Sequence, residues 1–131
     1  MISISEKKTD GSLPSSNVCG ASLIDRETAI TAASCFNERS KDSVVLILGA
    51  QKLSDTQEIH RENRTIKTLI KHPKYKEGKA YFDIAIIKLD KPVEFNIYIY
   101  PVCLPTEPIY DLKKRLNYNF QFDTYFYLIF E

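Results

Sequence analysis

Residues 19–35 read CGASLIDRETAITAASC, and this stretch carries the strongest structural signal in the sequence. A short apolar run at 21–24 is followed by four mostly charged residues and by a second short run at 29–33. Two such runs across a polar turn predict a β-hairpin. A disulfide between Cys19 and Cys35 would close this loop and stabilise the fold by about 3 kcal/mol in the chain-entropy model. The spacing alone leaves two buried free thiols equally open.

Three further segments outside this stretch have the pattern of β-strands. The run 44–48 is continuously aliphatic, 65–71 partly alternates and stops at a proline turn, and 84–89 is apolar between aspartates. No segment longer than ten residues keeps a clean helical period. Several short strands at this spacing predict an all-β barrel or sandwich.

The overall composition excludes several classes of protein. The chain has 131 residues, the length of one domain, with 44% hydrophobic and 27% charged residues, unlike a disordered or a membrane protein. Its net charge of +1 selects no partner. The apolar runs are too short to cross a bilayer, and the first residues do not form a signal peptide. Since no CxxC pair occurs, a zinc site is poorly supported.

Two sets of segments together resemble the trypsin/chymotrypsin-like serine protease family (peptidase S1), most of all its arthropod-type extracellular members. Residues 19–35 resemble the pattern CGGSLI…VLTAAHC. The segments IKHPKY, DIAIIKL and PVCLP, at 70–75, 83–89 and 101–105, resemble IxHPxY…DIALLKL…PVCLP in the same order. The resemblance covers 1–105 and implies the N-terminal β-barrel half of the chymotrypsin-like two-barrel fold, incomplete. Residues 106–131 form an unmatched, aromatic-rich and aggregation-prone tail.

The resemblance also assigns roles to individual residues. It implies a Cys19–Cys35 disulfide beside the catalytic site. Asp83 stands at the position of the triad aspartate, which orients the catalytic histidine; a strand-start aspartate that caps a turn is the alternative. Ser34 stands where the family has that histidine, and a serine hydroxyl cannot act as a base near neutral pH. By motif, neither His60 nor His72 replaces it.

The family's second barrel carries the GDSGG nucleophile, the oxyanion hole and the specificity pocket, and no such motif follows Pro105. The IVGG segment of the activated N-terminus is missing as well. We therefore expect a fragment of a trypsin-like serine endopeptidase homologue that is proteolytically inactive and not an enzyme, with no cofactor and no metal. The alternatives are a non-catalytic pseudoprotease binding module and part of a longer S1 endopeptidase that acts in proteolysis.

Further candidate sites lie outside the triad positions. We expect Cys103 to be a free thiol, because the segment that holds its usual family partner does not precede it. Asn63 begins an Asn-Arg-Thr glycosylation sequon. Ala50 occupies the first position of the family's calcium loop, where a glutamate would be needed. The stretch 61–79 has seven Lys/Arg and two Glu, a local charge of +5. A solvated edge strand is favoured there over a polyanion-binding patch.

The resemblance also bears on partners and location. We expect another protease or an inhibitor protein as partner, or self-association through the exposed barrel face. No nucleic acid and no membrane partner are expected. The resemblance implies an extracellular protein, although this chain shows no signal peptide.

Overall fold

The computed structural model describes residues 1–10, 12, 14 and 17–105, and these residues form an all-β structure, which confirms the predicted class. One antiparallel sheet has the strand order β5-β4-β1-β2-β3-β7-β6. The strands are β1 Ile2–Glu6, β2 Cys19–Leu23, β3 Thr28–Thr31, β4 Val44–Leu48, β5 Glu62–Arg64, β6 Ile66–Lys71 and β7 Ala85–Leu89. Two short 3-10 helices, Ala33–Phe36 and Lys41–Ser43, connect β3 to β4. The predicted tail at 106–131 lies outside the described residues.

The sheet curls into a barrel, and Thr65 shows why. Strands β5 and β6 lie at opposite ends of the strand order, yet this single residue separates them in the chain. The two ends of the sheet must therefore meet at Thr65. Asp90 holds this corner, because its Oδ1 accepts from the Thr65 amide at 3.0 Å and its own amide donates to the Thr65 carbonyl at 3.0 Å. The predicted barrel half of the chymotrypsin-like fold is confirmed.

Strands β1 and β4 form the centre of the structure. Ile2 and Ile4 of β1 face the core and pair with Leu48 and Leu46 of β4, and all four side chains are buried. Burying a side chain of this size contributes about 1.5–3 kcal/mol. All five residues of β4 are buried, as expected for a continuously aliphatic strand. No helix in the described part of the chain is long and apolar enough to span a bilayer.

The predicted hairpin is present as β2 and β3, and its turn is held by Asp25. The Asp25 Oδ1 accepts a hydrogen bond from the Glu27 amide at 2.8 Å. Partial burial raises the pKa of Asp25, but hydrogen bonds from the Glu27 amide and from Thr28 outweigh this effect and lower the pKa below its usual value. A short polar turn therefore sets the register, with Ser22 opposite Ile30.

The second strand of this hairpin ends earlier than the pattern at 29–33 predicts. Strand β3 stops at Thr31, and the 3-10 helix Ala33–Phe36 follows. Continuing the observed register would place Ala33 opposite Cys19. A helical turn at this point brings Cys35 back toward Cys19, where the two form a disulfide with Cα atoms 6.1 Å apart. The Cys19–Cys35 disulfide therefore forms because β3 ends early and a helical turn follows it.

Candidate active site

The structure brings Ser34 and Asp83 together, although they are 49 positions apart in the chain. Strands β3 and β7 are neighbours, with Thr31 opposite Ala85. Ser34 follows β3 and Asp83 precedes β7, so both lie at the same end of this strand pair. The Ser34 amide donates to Asp83 Oδ1 at 2.7 Å, and the Ser34 hydroxyl donates to Asp83 Oδ2 at 2.7 Å. Both carboxylate oxygens are thus bound by one residue.

This contact is what the resemblance implies for a triad aspartate, with one substitution. In the family the aspartate accepts a hydrogen bond from the catalytic histidine and orients its ring. Here the hydroxyl of Ser34 donates that hydrogen bond instead. The carboxylate also accepts from the Ser34 backbone amide, which lies in the 3-10 helix Ala33–Phe36 and not in the turn that carries Asp83.

Phe82, the residue before Asp83, has an uncommon backbone conformation. Its φ of 58° lies in the left-handed region, which non-glycine residues seldom adopt, and the Ile84 amide donates to the Phe82 carbonyl at 2.8 Å. The sequence gives no signal for this turn, because phenylalanine has no preference for positive φ. The ring of Phe82 stacks on His72 with centroids 4.8 Å apart, and Lys74 Nζ lies 5.7 Å from the same ring.

Neither histidine forms part of the Ser34–Asp83 pair. His72 lies next to the turn that carries Asp83, but its Nδ1 accepts from the Lys74 amide at 3.1 Å while its ring stacks on Phe82. His60 stacks on Tyr98 at 3.8 Å between ring centroids. Within the described part of the chain, the hydrogen bonds to the Asp83 carboxylate come from Ser34.

The loop at the family's calcium position is held together by side chains of the chain itself. Glu58 accepts hydrogen bonds from the amides of Gln51 and Lys52, both at 2.9 Å. The Arg61 guanidinium donates to the carbonyls of Leu53 and Pro14, both at 3.0 Å. Ala50 offers no side-chain oxygen. Among residues 1–10, 12, 14 and 17–105, no group of three or more His, Cys, Asp or Glu could hold a metal ion.

The basic residues of 61–79 are partly engaged in intramolecular contacts. Arg61 holds the loop just described, Arg64 Nη2 binds Glu62 Oε2 at 2.5 Å, and Lys71 Nζ donates to the Phe36 carbonyl at 2.8 Å. Strand β6 lies at one end of the strand order, and its Lys67 is exposed. These contacts occupy three of the seven basic residues, and the solvated edge strand stays a prediction.

A cavity of about 430 Å³ lies beside the start of β1 and the end of β4, where Ile2, Ser3 and Ile47 line it. Its lining also includes Gln51 and Tyr98, and the lining residues that the structure describes include no carboxylate and no histidine. Ser34 and Asp83 do not line it. This cavity is therefore separate from the candidate active site.

The remaining predicted site residues are accessible. Cys103 is a free, exposed thiol. Asn63 is exposed at the middle of β5. No contact within the described residues joins either of them to the Ser34–Asp83 pair.

Comparison with known proteins identifies the family. The sequence profile of the Trypsin family matches residues 1–115. This range runs past residue 105, where the sequence predicts the end of the barrel, and that boundary stays a prediction.

Several curated serine proteases share about a third of their residues with the matched part of the chain. The human atrial natriuretic peptide-converting enzyme is 36% identical over 93 residues, which are 70% of this chain and 9% of that protein. The clotting factor G beta subunit of Tachypleus tridentatus is 36% identical over 92 residues, 67% of this chain and 28% of that protein. The serine protease snk of Drosophila melanogaster is 35% identical over 86 residues, 66% of this chain and 20% of that protein.

The chain thus spans less than a third of the length of each of these relatives. The family profile, in contrast, matches most of its 131 residues. Together with the barrel, this match shows that the chain belongs to the trypsin family of serine proteases.

Proposed function

We propose that this chain is a trypsin-family serine protease homologue without proteolytic activity, a pseudoprotease. The observation that carries the proposal is the hydrogen bond from the Ser34 hydroxyl to Asp83 Oδ2, 2.7 Å long, between two residues that the sequence motifs assign to the positions of the general base and its aspartate. The proposal does not depend on where the chain begins or ends, because any longer protein that contains this segment also contains Ser34.

The chemistry of the pair explains why it cannot replace a histidine. A general base needs a pKa near the working pH, and a serine hydroxyl has none in that range. Forming an activated Ser34 nucleophile would also require much free energy. The resulting alkoxide would lie next to the negative Asp83 carboxylate, which accepts the hydrogen bond of the Ser34 hydroxyl. In a related type of triad, loss of the histidine alone lowers kcat by a factor on the order of 10⁶.

The test is covalent labelling of the purified 131-residue chain with a fluorophosphonate probe, which reacts with activated serines. We expect no labelling above that of the heat-denatured chain, whereas an active trypsin-family enzyme is labelled in parallel. Labelling of the native chain that disappears in Ser34→Ala or Asp83→Ala would refute the proposal.

A matched pair of chimeras tests the role of residue 34 directly. Residues 1–105 are joined to the second barrel of an active trypsin-family protease, once with Ser34 and once with Ser34→His. We expect the histidine chimera to exceed the serine chimera in kcat by several orders of magnitude. Equal, measurable activity of the two folded chimeras would show that Ser34 does not limit catalysis.

A binding module is the second candidate function, and the segment 93–105 favours it. Val93 and Ile99 anchor this segment in the core, and Asn96 Oδ1 accepts from the amides of Tyr98 and Ile99 at 2.8 and 3.0 Å. The apolar side chains between and beyond these anchors are exposed: Phe95, Ile97, Tyr100, Val102 and Leu104. A fixed apolar surface of this kind is typical of a protein-binding site.

We expect this surface to cause self-association of the isolated chain, or binding of another protease or an inhibitor protein. Ile97 is 90% exposed and Tyr100 is 71% exposed, so changing them to lysine leaves the core intact. In sedimentation velocity, the wild-type chain should form oligomers and the Ile97→Lys/Tyr100→Lys variant should shift toward monomer. A wild-type chain that stays monomeric at every concentration tested would exclude self-association through this surface.

We also propose that the protein is extracellular. The disulfide between Cys19 and Cys35 supports this location, because such bonds persist in oxidising compartments and are rare in the cytosol.

A further inference from the structure

We propose that Asn63 is an N-glycosylation site and that its glycan shields the free edge of strand β5. Asn63-Arg64-Thr65 is the one Asn-X-Ser/Thr sequence in the chain. The proposal rests on the extracellular location proposed above, because a sequon is used only in the secretory pathway. It does not rest on the loss of the catalytic base at Ser34.

The position of Asn63 within β5 leaves its amide available. Successive side chains of a strand point to opposite sides. Glu62 and Arg64 are half-buried and bound to each other, so they share one side and Asn63 points to the other. The Asn63 side chain is exposed and makes no hydrogen bond within the described part of the chain. A glycan on its Nδ2 would therefore break no contact that the structure shows.

Thr65 completes the sequon without a structural role for its side chain. Its amide and carbonyl bind Asp90, but its hydroxyl makes no hydrogen bond within the described residues, and the residue is exposed. The sequon can therefore be removed or retained by changes at Thr65 that keep both backbone bonds. This gives the test its matched controls.

The edge of β5 explains what a glycan would do there. Strand β5 is at one end of the strand order and pairs with β4 on one side, while the described residues provide no strand on its other side. Backbone groups that stay unpaired along such an edge can pair with another chain. Part of this edge is bound within the chain, since Arg64 donates to the Asn63 carbonyl at 3.0 Å and to the Pro92 carbonyl at 3.4 Å. A bulky, hydrated glycan at the middle residue of this three-residue strand would keep a second strand from approaching.

The test places the full chain in the secretory pathway of insect cells behind a cleavable leader, and compares four forms by mass. Wild type and Thr65→Ser keep the sequon, whereas Asn63→Gln and Thr65→Val remove it. We expect the first two forms to be heavier than the bare polypeptide, and a peptide N-glycosidase should remove this extra mass. The other two forms should show no extra mass. The readout does not depend on stability, because the glycan is added before folding is complete.

Two outcomes would overturn the site. The first is a secreted wild-type chain without a glycan, and the second is a glycan that persists in Asn63→Gln. For the shielding role, glycosylated wild type and Asn63→Gln are compared by sedimentation velocity at equal concentration. More oligomer in Asn63→Gln is expected, and identical distributions would contradict the shielding. Fluorophosphonate labelling reports on Ser34 separately, so failure of the glycan site is distinguishable from failure of the pseudoprotease proposal.

Discussion

Replacing Gly49 with alanine is expected to lower the free energy of unfolding by about 3 kcal/mol or more. Gly49 directly follows β4 and has a φ of +71°, a conformation that strains any residue with a Cβ atom. The added Cβ would also overlap the carbonyl oxygen of His60 and lie 3.2 Å from Cγ1 of Ile99, which is buried in the core. Because the overlapping atom belongs to the backbone, it cannot be relieved by a change of rotamer.

Gly78 provides the matched control for this prediction. Its φ is +75°, almost the same as that of Gly49, but a Cβ there would have no atom within 4 Å. Gly78→Ala should therefore show only the backbone strain, about 1 kcal/mol. Urea unfolding followed by circular dichroism gives both values. If the two variants lose the same stability, the close approach of the His60 carbonyl is not a constraint on Gly49.

Removing the disulfide is the second large effect we expect. Cys19→Ala/Cys35→Ala should lower the free energy of unfolding by about 3 kcal/mol, because the bond closes a loop across 16 positions and restricts the unfolded chain. The same bond ties the 3-10 helix Ala33–Phe36 to the start of β2, so the Ser34–Asp83 contact should loosen as well. The change is measured as a lower urea midpoint.

Cys103→Ser is the control and the background for this measurement. Cys103 is an exposed free thiol, so its replacement should leave stability unchanged within about 0.5 kcal/mol while it prevents disulfide exchange. The variant that also lacks Cys19 and Cys35 should have a lower urea midpoint than Cys103→Ser. Equal urea midpoints would mean that the Cys19–Cys35 disulfide does not stabilise the native barrel.

Most strands of the barrel could be predicted from local sequence, and the exceptions have physical causes. The aliphatic run 44–48 coincides with β4. The runs 65–71 and 84–89 each begin one residue before β6 and β7, because Thr65 forms the corner of the barrel and Ile84 takes part in the turn at Phe82. Strand β5 has the sequence ENR, which has no apolar pattern, and it forms because β4 provides a partner.

The candidate site was predictable in its residues but not in its contacts. The resemblance assigns Ser34 and Asp83 to triad positions, while two hydrogen bonds from one residue to both carboxylate oxygens appear only in the structure. The net charge of +5 in 61–79 likewise does not reveal the contacts of the individual basic residues. Its sum suggests a free basic surface, whereas Arg61, Arg64 and Lys71 are bound to groups of the chain itself.

By itself the sequence determined the all-β class and the family, and its motifs predict that Ser34 stands at the position of the catalytic histidine. These properties lie in short runs, turns and motifs, each of which is local in the chain. The tertiary structure shows the Cys19–Cys35 bond, which the resemblance implied and which spacing alone left open. Only the tertiary structure decided that the Ser34 hydroxyl donates to Asp83. Such pairs depend on which strands become neighbours, and burial of the shared core over the whole chain decides that.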